Sequence, residues 1–348
     1  MLKSLSDSQK KVVASIQSLP DQINQALREI KQLKLAKDYA QNTDKVVICG
    51  MGGSRFPGVI LEGFFESELK KPVFICQDYF TPGWLDNKTL VILSSYSGTT
   101  EETISSLESA SAKTDYLIGI STGGKLEEKM KELNRPFYKL NPVHNPSGQP
   151  RLAFGYSFGA LAGLLEQINA LKKGTTDNLL EEISFMKKIA EAFGQENSLP
   201  YQTAKQIERK MPIFVSAEFL KGLGNAVNNQ INETAKSIAD FHNIPELNHH
   251  LMEGLKNPKQ FKDLAVFVFY YSDLYYSRIA KRFTITKEVV RQNHIPTIWL
   301  EAEGKNKAQQ LFYFMMLSAF VSFYLSYLYQ EDPSIIPFVD YFKKRLSE

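Results

Sequence analysis

The stretch that decides the fold is VVICGMGGS, residues 46–54, in which four apolar residues run directly into glycines and a hydroxyl side chain. A short apolar run that ends at glycine is typical of a buried β-strand followed by a tight turn. Glycines at such a turn let the backbone approach another group closely, because they carry no Cβ. The stretch therefore predicts a buried strand and a loop with room for a close neighbour.

Strand-like and helix-like segments alternate from this stretch to about residue 140. The strand-like segments are KVVICG, KPVFICQDY, TLVILSSYS, DYLIGISTGG and PFYKLNP. Such alternation indicates a parallel, doubly wound sheet, whose ligands lie beyond the carboxyl ends of the strands. Residues 1–42 carry apolar side chains at helical spacing, which predicts a helical segment before the sheet.

The segment NPVHNPSGQPR, residues 141–151, is rich in Pro, Gly and Asn and indicates a domain boundary near residue 150. Beyond it the scheme repeats, in the order helix-like stretches at 153–208, strand MPIFVSA, a glycine-rich turn, a helix at about 225–241, strand DLAVFVFYY, a helix near 274–282 and strand TIWLEAEG. The prediction is an α/β protein with a helical segment at 1–42 and two parallel-sheet domains at 43–150 and 151–348.

Composition and charge restrict the class of protein. The chain has 348 residues, 43% of them hydrophobic, which suffices for two domains with buried cores. Its 41 basic and 38 acidic residues leave a net charge of +3, which gives no electrostatic footprint for nucleic acid or an anionic membrane. Cys49 and Cys76 lie in apolar runs, as expected for core thiols in a reducing compartment. With no signal-peptide pattern at the N-terminus, these features favour the cytoplasm.

One segment, residues 311–329, carries no charge and is about long enough to cross a bilayer. The alternative is a helix buried on all sides, in a core or a subunit interface. Four tyrosines are spread along the segment and no second span accompanies it, so we favour burial. A large apolar helix of this kind also suggests an oligomer.

Three predicted loops at strand ends are rich in glycine and hydroxyl residues: GMGGS, SSYSGTTEE and STGGK. In the second loop the hydroxyls stand just before a helix, where free N–H groups and a partial positive charge favour an anion. Ordinary turns and helix caps use the same residue types, so one such loop alone would carry no weight. Three loops at the same edge of one sheet favour a phosphate site.

A dinucleotide is the main alternative ligand for these loops. The first loop opens like the fingerprint G-x-G-x-x-G, but Arg55 stands where the third glycine belongs. Asp78, at the end of the next predicted strand, is the residue that could bind a ribose. The incomplete pattern favours a phosphate ligand over a dinucleotide.

GMGGS, SYSGTTEE and STGGKL resemble loops of the sugar isomerase (SIS) domain, whose hydroxyl loop binds the phosphate of phosphosugars. SGQPRLAFGYSFG, INETAKSIADF, IPELNHH and DPSIIPFVDYFKKRL are similar, in this order, to segments of the bifunctional phosphoglucose/phosphomannose isomerases of archaea and bacteria. The resemblance spans about residues 45–346. It implies two SIS-type doubly wound domains, flavodoxin-like and three-layered (αβα), with helical N- and C-terminal extensions. It also implies a homodimer with shared active sites.

The resemblance further implies a role for ten residues. Phosphate-binding positions match Gly53, Ser54, Ser95, Ser97 and Thr100. The catalytic base matches Glu233, and the residue that assists ring opening, which the second subunit contributes in this family, matches His249. An active-site arginine near the enediolate matches Arg151, and the C-terminal lysine that takes part in ring opening matches Lys343. Ser334 matches a threonine linked to use of the mannose epimer.

These residue types suit the chemistry of an aldose–ketose isomerase. The reaction moves a proton between C2 and C1 through a cis-enediolate, and one carboxylate can remove and return that proton. An arginine stays protonated and can stabilise the charge on O1 and O2, and a histidine suits proton transfer in ring opening. Phosphate held at a distance fixes the reacting carbons. The scheme requires a sugar-phosphate substrate but no metal or organic cofactor.

The sequence departs from the family pattern at Arg55, Thr234 and His250, which concerns substrate range more than reaction type. One alternative is an SIS enzyme that acts on another sugar phosphate. A second is a non-catalytic phosphosugar-binding protein, although such a protein would need neither Glu233 nor His249. A third is a nicotinamide-dependent enzyme.

Overall fold

Two parallel β-sheets organise the chain, which the computed structural model describes at residues 5–346 and 348. The first sheet contains β1 (Lys45–Cys49), β2 (Val73–Cys76), β3 (Thr89–Ser94), β4 (Leu117–Ser121) and β5 (Phe137–Lys139). The second contains β6 (Met211–Ala217), β7 (Asp240–Ile244), β8 (Ala265–Tyr271) and β9 (Thr297–Glu301). The strand orders are β2-β1-β3-β4-β5 and β7-β6-β8-β9, and all pairs are parallel. The first is the flavodoxin-like order, and the predicted fold class is confirmed.

Sixteen α-helices surround and connect these sheets in the described part of the chain. Those before β6 are α1 (Asp7–Gln17), α2 (Leu19–Ile30), α3 (Lys37–Gln41), α4 (Phe56–Phe65), α5 (Glu101–Ser111), α6 (Gly124–Glu132), α7 (Phe154–Gln167), α8 (Thr175–Glu181), α9 (Ile183–Phe193) and α10 (Leu199–Ile207). Those after β6 are α11 (Lys221–Gln230), α12 (Leu251–Gly254), α13 (Phe261–Leu264), α14 (Ser277–Gln292), α15 (Lys307–Leu328) and α16 (Pro337–Leu346).

The strand β1 lies between β2 and β3, and its last four residues are buried. Gly50 follows it directly, and an added Cβ there would lie 3.0 Å from the carbonyl oxygen of Ser94 and 3.1 Å from that of Ser54. The glycine therefore lets the chain turn tightly against the end of β3. This position fixes where the following loop leaves the sheet.

The N-terminal helices are part of the core. A row of glycines on α7, at Gly155, Gly159 and Gly163, faces α2 so closely that an added Cβ at each position would clash with it. Helix α7 also contacts α4, so the chain beyond the predicted boundary at residue 150 still packs on helices of the first half. Because α1 and α2 contact α9 as well, these two helices join both halves of the protein.

The apolar segment at 311–329 lies in α15, which is buried from Gln310 to Ser326. Within residues 5–346 and 348, α15 is the one helix long and apolar enough to cross a membrane. Of its apolar stretch of 18 residues, 89% is buried inside the protein. It packs against α9, α10 and α11 of the same chain. Packing inside one chain accounts for its apolar surface, so the segment no longer argues for an oligomer.

Two predicted helices have different bounds. The helix predicted at about 225–241 is wrong beyond Gln230, because a π-helical turn (Ile231–Ala235) and the strand β7 follow it. Strand β7 is a partly exposed edge strand with mixed polarity, DFHNI, and therefore shows neither an apolar run nor a clear alternation. The helix predicted near 274–282 begins at Ser277 and continues to Gln292.

We expect Gly222→Ala to lower the free energy of unfolding by about 1–3 kcal/mol, because overpacking of a dense contact costs that much. A Cβ at Gly222 would overlap the backbone of Val59, which cannot move without displacing α4. Urea denaturation of the variant measures the loss. Gly254→Ala is the matched control, since Gly254 is exposed on α12 with open space around it. Equal stabilities of the two variants would contradict the close approach of α4 and α11.

Candidate active site

The three loops predicted to bind phosphate meet at the carboxyl ends of β1, β3 and β4. The hydroxyl of Ser54 accepts a hydrogen bond from the backbone N–H of Tyr96 at 2.9 Å. The hydroxyl of Thr122 donates to the carbonyl of Tyr96 at 2.9 Å. Gly98, at φ 70°, lies so close to Gly123 that a Cβ would overlap its carbonyl oxygen. The loops therefore form one continuous surface.

The hydroxyls of the second loop precede α5. The side-chain oxygens of Ser95 and Thr100 lie 2.8 Å apart and share a hydrogen bond. Ser97 accepts from the backbone N–H of Thr99 at 3.3 Å and from its hydroxyl at 3.0 Å, and both residues are exposed. Thr100 is the N-cap of α5, so the free N–H groups of that helix adjoin these hydroxyls. Such an arrangement suits a phosphate.

Gly53 brings the first loop against Arg151. A Cβ at Gly53 would lie 2.9 Å from both the backbone N and the Cα of Arg151. Arg151 belongs to the short 3-10 turn Pro150–Leu152, which overlaps the end of the predicted boundary segment. The glycine therefore makes room for the backbone of another part of the chain and places an arginine directly beside the loop.

Arg151 is 1% exposed, and its guanidinium is held on several sides. One terminal nitrogen donates to the side chain of Gln149 at 2.9 Å and lies 4.0 Å from a carboxylate oxygen of Glu233. The other donates to the carbonyl oxygens of Pro333 and Ser334. Burial lowers the pKa of Arg151 from its very high usual value, and neighbouring carboxylates oppose this shift. Arg151 is thus a fixed cation beside Glu233.

Glu233 lies in the π-helical turn that follows α11, and its side chain is 29% exposed. Burial raises the pKa of Glu233, whereas the positive charges of Arg151, Lys343 and Lys236 oppose the rise. π-Helical turns occur frequently at functional sites. A carboxylate with a raised pKa, next to a buried arginine, suits a general base.

Lys236, which the sequence reasoning passed over, ends this turn in a left-handed conformation at φ 54°. Its ammonium group donates to the carbonyl oxygens of Glu233 at 3.0 Å, Thr234 at 3.3 Å and Asp332 at 2.7 Å. It therefore ties the turn to the segment at 332–334, which Arg151 also holds. The sequence did contain a feature that could have pointed to Lys236, because it is the lysine of the motif INETAK, which also contains Glu233.

Two of the C-terminal residues matched by resemblance lie near Glu233 and Arg151. The hydroxyl of Ser334 donates to Asp332 at 2.6 Å, and its carbonyl accepts a hydrogen bond from Arg151 at 3.2 Å. Lys343 lies on the exposed helix α16, near enough for its charge to lower the pKa of Glu233. The structure therefore brings Arg151, Glu233, Ser334 and Lys343 together.

His249 is not joined to this group by a hydrogen bond or ion pair in the described part of the chain. It ends the 3-10 turn Glu246–His249, and its side chain is exposed. Among the residues described, no hydrogen bond or ion pair links it to Glu233 or Arg151. The neighbouring His250 is also exposed, and its ring centre lies 6.4 Å from that of His242.

A resident metal was not expected from the sequence. Across the described ranges 5–346 and 348, no group of three or more His, Cys, Asp or Glu side chains is placed to hold a metal ion. Asp78, the residue considered for a ribose, lies exposed in the loop after β2, where its carboxylate accepts a hydrogen bond from the backbone of Tyr79 at 2.7 Å.

Comparison with known proteins gives consistent results. Residues 196–346 match the family described as bacterial phospho-glucose isomerase C-terminal SIS domain. The chain is 34% identical to a bifunctional phosphoglucose/phosphomannose isomerase of Caldicellulosiruptor bescii, over 96% of this chain and 98% of that protein. It is 29% identical to the Aquifex aeolicus protein of the same name, over 87% and 90%.

A hypothetical protein of Thermus thermophilus has a similar solved structure, with a TM-score of 0.75 and 16% identity, over 98% of this chain and 94% of that one. This likeness concerns the fold alone. Identity of 34% across almost the full length of both sequences, together with the family match in the second half, establishes that this chain belongs to the family of bifunctional phosphoglucose/phosphomannose isomerases.

Proposed function

We propose that the protein interconverts fructose 6-phosphate with glucose 6-phosphate, and also with mannose 6-phosphate, by proton transfer through a cis-enediolate. The observation that carries this proposal is the position of Arg151. Its backbone contacts Gly53 of the loop GMGGS, residues 50–54, which we call the phosphate loop. Its guanidinium lies 4.0 Å from the carboxylate of Glu233. An anion-binding surface, a fixed cation and a basic carboxylate are thus joined through one residue.

The hydroxyl loops bind the phosphate of the substrate. Ser54, Ser95, Ser97 and Thr100 supply hydroxyl groups, and the N-terminus of α5 supplies N–H donors and a partial positive charge. This binding energy comes from a part of the substrate that does not react, so it fixes the position of the carbons that do.

Glu233 removes the proton from C2 of the aldose and returns it to C1. Burial raises the pKa of Glu233, which strengthens the carboxylate as a base near neutral pH. As the proton leaves, negative charge develops on O1 and O2 of the enediolate. The buried guanidinium of Arg151, which is held by Gln149 and by the backbone at 333–334, stabilises that charge without having to reorient.

Ring opening is assigned to Lys343 and to His249 of a second subunit, which makes the active enzyme a homodimer. Two observations support a partner. His249 is exposed and has no hydrogen bond or ion pair with Glu233 of its own chain among the described residues, and α16 carries exposed apolar side chains, including Phe338, Tyr341 and Phe342. We place the enzyme in the cytoplasm, because Cys49 and Cys76 are free, buried thiols on neighbouring strands.

The alternatives account for fewer of these features. A phosphosugar-binding protein without activity would need the hydroxyl loops, but not a carboxylate with a raised pKa beside a buried arginine. An SIS enzyme that acts on another sugar phosphate would share the whole arrangement. Assays with glucose 6-phosphate and mannose 6-phosphate separate that alternative from the proposal.

We expect Glu233→Gln to lower kcat by about 10²- to 10⁴-fold, which is the contribution of a general base. Purified protein is supplied with fructose 6-phosphate, and glucose 6-phosphate is detected through its dehydrogenase, with mannose 6-phosphate assayed in parallel. Fructose 6-phosphate should still raise the melting temperature of the variant, because the hydroxyl loops are intact. Glu288→Gln, on the exposed face of α14, is the matched control. Full turnover by Glu233→Gln would rule out its assignment as the base.

We expect Lys343→Met to move the acid limb of the kcat/KM profile to higher pH. The positive charge of Lys343 lowers the pKa of Glu233, so the variant, which lacks this charge, should have a still higher pKa at Glu233. The carboxylate then becomes deprotonated, and active as a base, only at higher pH. The comparison uses the position of the limb and not the height of the profile, which slower ring opening would also lower. Lys344→Met, at the next position of α16, is the control. An acid limb that stays in place or moves to lower pH would contradict the charge interaction.

We expect mixtures of Glu233→Gln and His249→Ala chains to regain activity after dissociation and reassociation. If each site combines Glu233 of one chain with His249 of the other, a mixed dimer has one intact site, so random mixing restores about a quarter of wild-type activity. Each variant alone, treated in the same way, is the control. Mixtures that remain as inactive as the separate variants would show that the two residues do not act across the dimer.

A further inference from the structure

Arg55 connects the phosphate loop to the helix that leads to Glu233. It follows Ser54 directly and is the N-cap of α4. One terminal nitrogen of its guanidinium donates to the side-chain oxygen of Asn225, on α11, at 2.9 Å. The two residues are 170 positions apart in the sequence, so this hydrogen bond joins the first half of the protein to the second.

The contacts between α4 and α11 show that these helices run in opposite directions. Near the end of α4, Glu66 pairs with Lys221 at the start of α11, at 2.7 Å. Further back on α4, Val59 contacts Gly222, and at the start Arg55 reaches Asn225. The phosphate loop therefore lies beside the part of α11 that continues towards Glu233.

The path along α11 from Asn225 to Glu233 is short. Glu233 follows Asn225 by eight positions, which corresponds to about 12 Å of helix. Gly222 and Gly63 allow the backbones of α4 and α11 to approach closely, because a Cβ at Gly222 would overlap the carbonyl oxygen of Val59 and a Cβ at Gly63 would lie 3.0 Å from the backbone N of Gly222. A hydrogen bond at Asn225 thus fixes the distance from the phosphate loop to the base.

The charge of Arg55 has no acidic partner in the described part of the chain. Its side chain is half-buried, burial lowers its pKa, and its Nε atom is buried without a hydrogen-bond acceptor among the described residues. By contrast, Lys221 on the same helix contact pairs with both Glu62 and Glu66. Among the described residues, the hydrogen bond to Asn225 is therefore the contact that orients the guanidinium of Arg55.

We propose that Arg55 is a positioning residue of the isomerisation, which, through its hydrogen bond to Asn225, holds the phosphate loop at a fixed distance from Glu233. With phosphate bound in the loop, this distance determines which carbons of the sugar lie opposite the carboxylate. The inference rests on the proposed function.

The experiment compares Arg55→Met, Asn225→Leu and the double variant in the fructose 6-phosphate assay. Each single variant should lower kcat by about 10- to 100-fold, because misplacement of a bound substrate by about 1 Å can cost that much. KM should change less than about threefold, since the hydroxyl loops remain. The double variant should lose no more than either single variant, because both substitutions break the same hydrogen bond.

Lys221→Met is the matched control, because it breaks the ion pairs at the other end of the same helix contact and should leave kcat unchanged. An equal loss in this control would show that any weakening of the contact suffices and would overturn the inference. A large rise in KM with Arg55→Met but none with Asn225→Leu would also overturn it, because Arg55 would then bind phosphate directly. Additive losses in the double variant would do the same. If wild-type protein shows no turnover, the proposed function fails; turnover with unaffected variants removes only this inference.

Discussion

The contact between the backbones of Gly53 and Arg151 is the constraint on which the candidate site depends. Any side chain at residue 53 would have to displace the turn that carries Arg151, because its Cβ would lie 2.9 Å from that backbone. This contact determines how far the arginine stands from the phosphate loop. Since the same arginine approaches Glu233 and the segment at 333–334, the separation of binding and chemical groups follows from it.

Two cations organise the other side of the site. Arg151 and Lys236 both donate to backbone carbonyls of the 332–334 segment, and Lys236 also holds the turn that contains Glu233. Carbonyl oxygens satisfy these donors without neutralising their charge. The positive charge therefore remains available to Glu233, where it opposes part of the rise in pKa that burial causes. Glu233 is thus partly buried and remains close to cations, which are the two conditions that the proposed base requires.

The strands of the first sheet and the loops that follow them were predictable from the sequence, because apolar strands that end in glycine or hydroxyl residues are strong local signals. Sequence reasoning did not find β7, since an edge strand such as DFHNI buries little and carries mixed polarity. It selected Glu233 and Arg151 as candidates through resemblance alone, because neither residue has a distinctive local pattern. The contact of Gly53 with Arg151 and the hydrogen bond of Arg55 with Asn225 join residues far apart in sequence. Such contacts arise from how the helices and sheets pack, which no short motif encodes.

The helices before the first sheet have a consequence for how the protein loses its structure. Proteins with two sheets commonly melt in stages, because each half keeps its own core. Here α2 lies in the glycine row of α7, α1 reaches α15, and one apolar core runs through both halves. Removal of α1 and α2 would uncover parts of this shared core on both sides at once. We therefore expect the two halves to unfold together rather than one after the other.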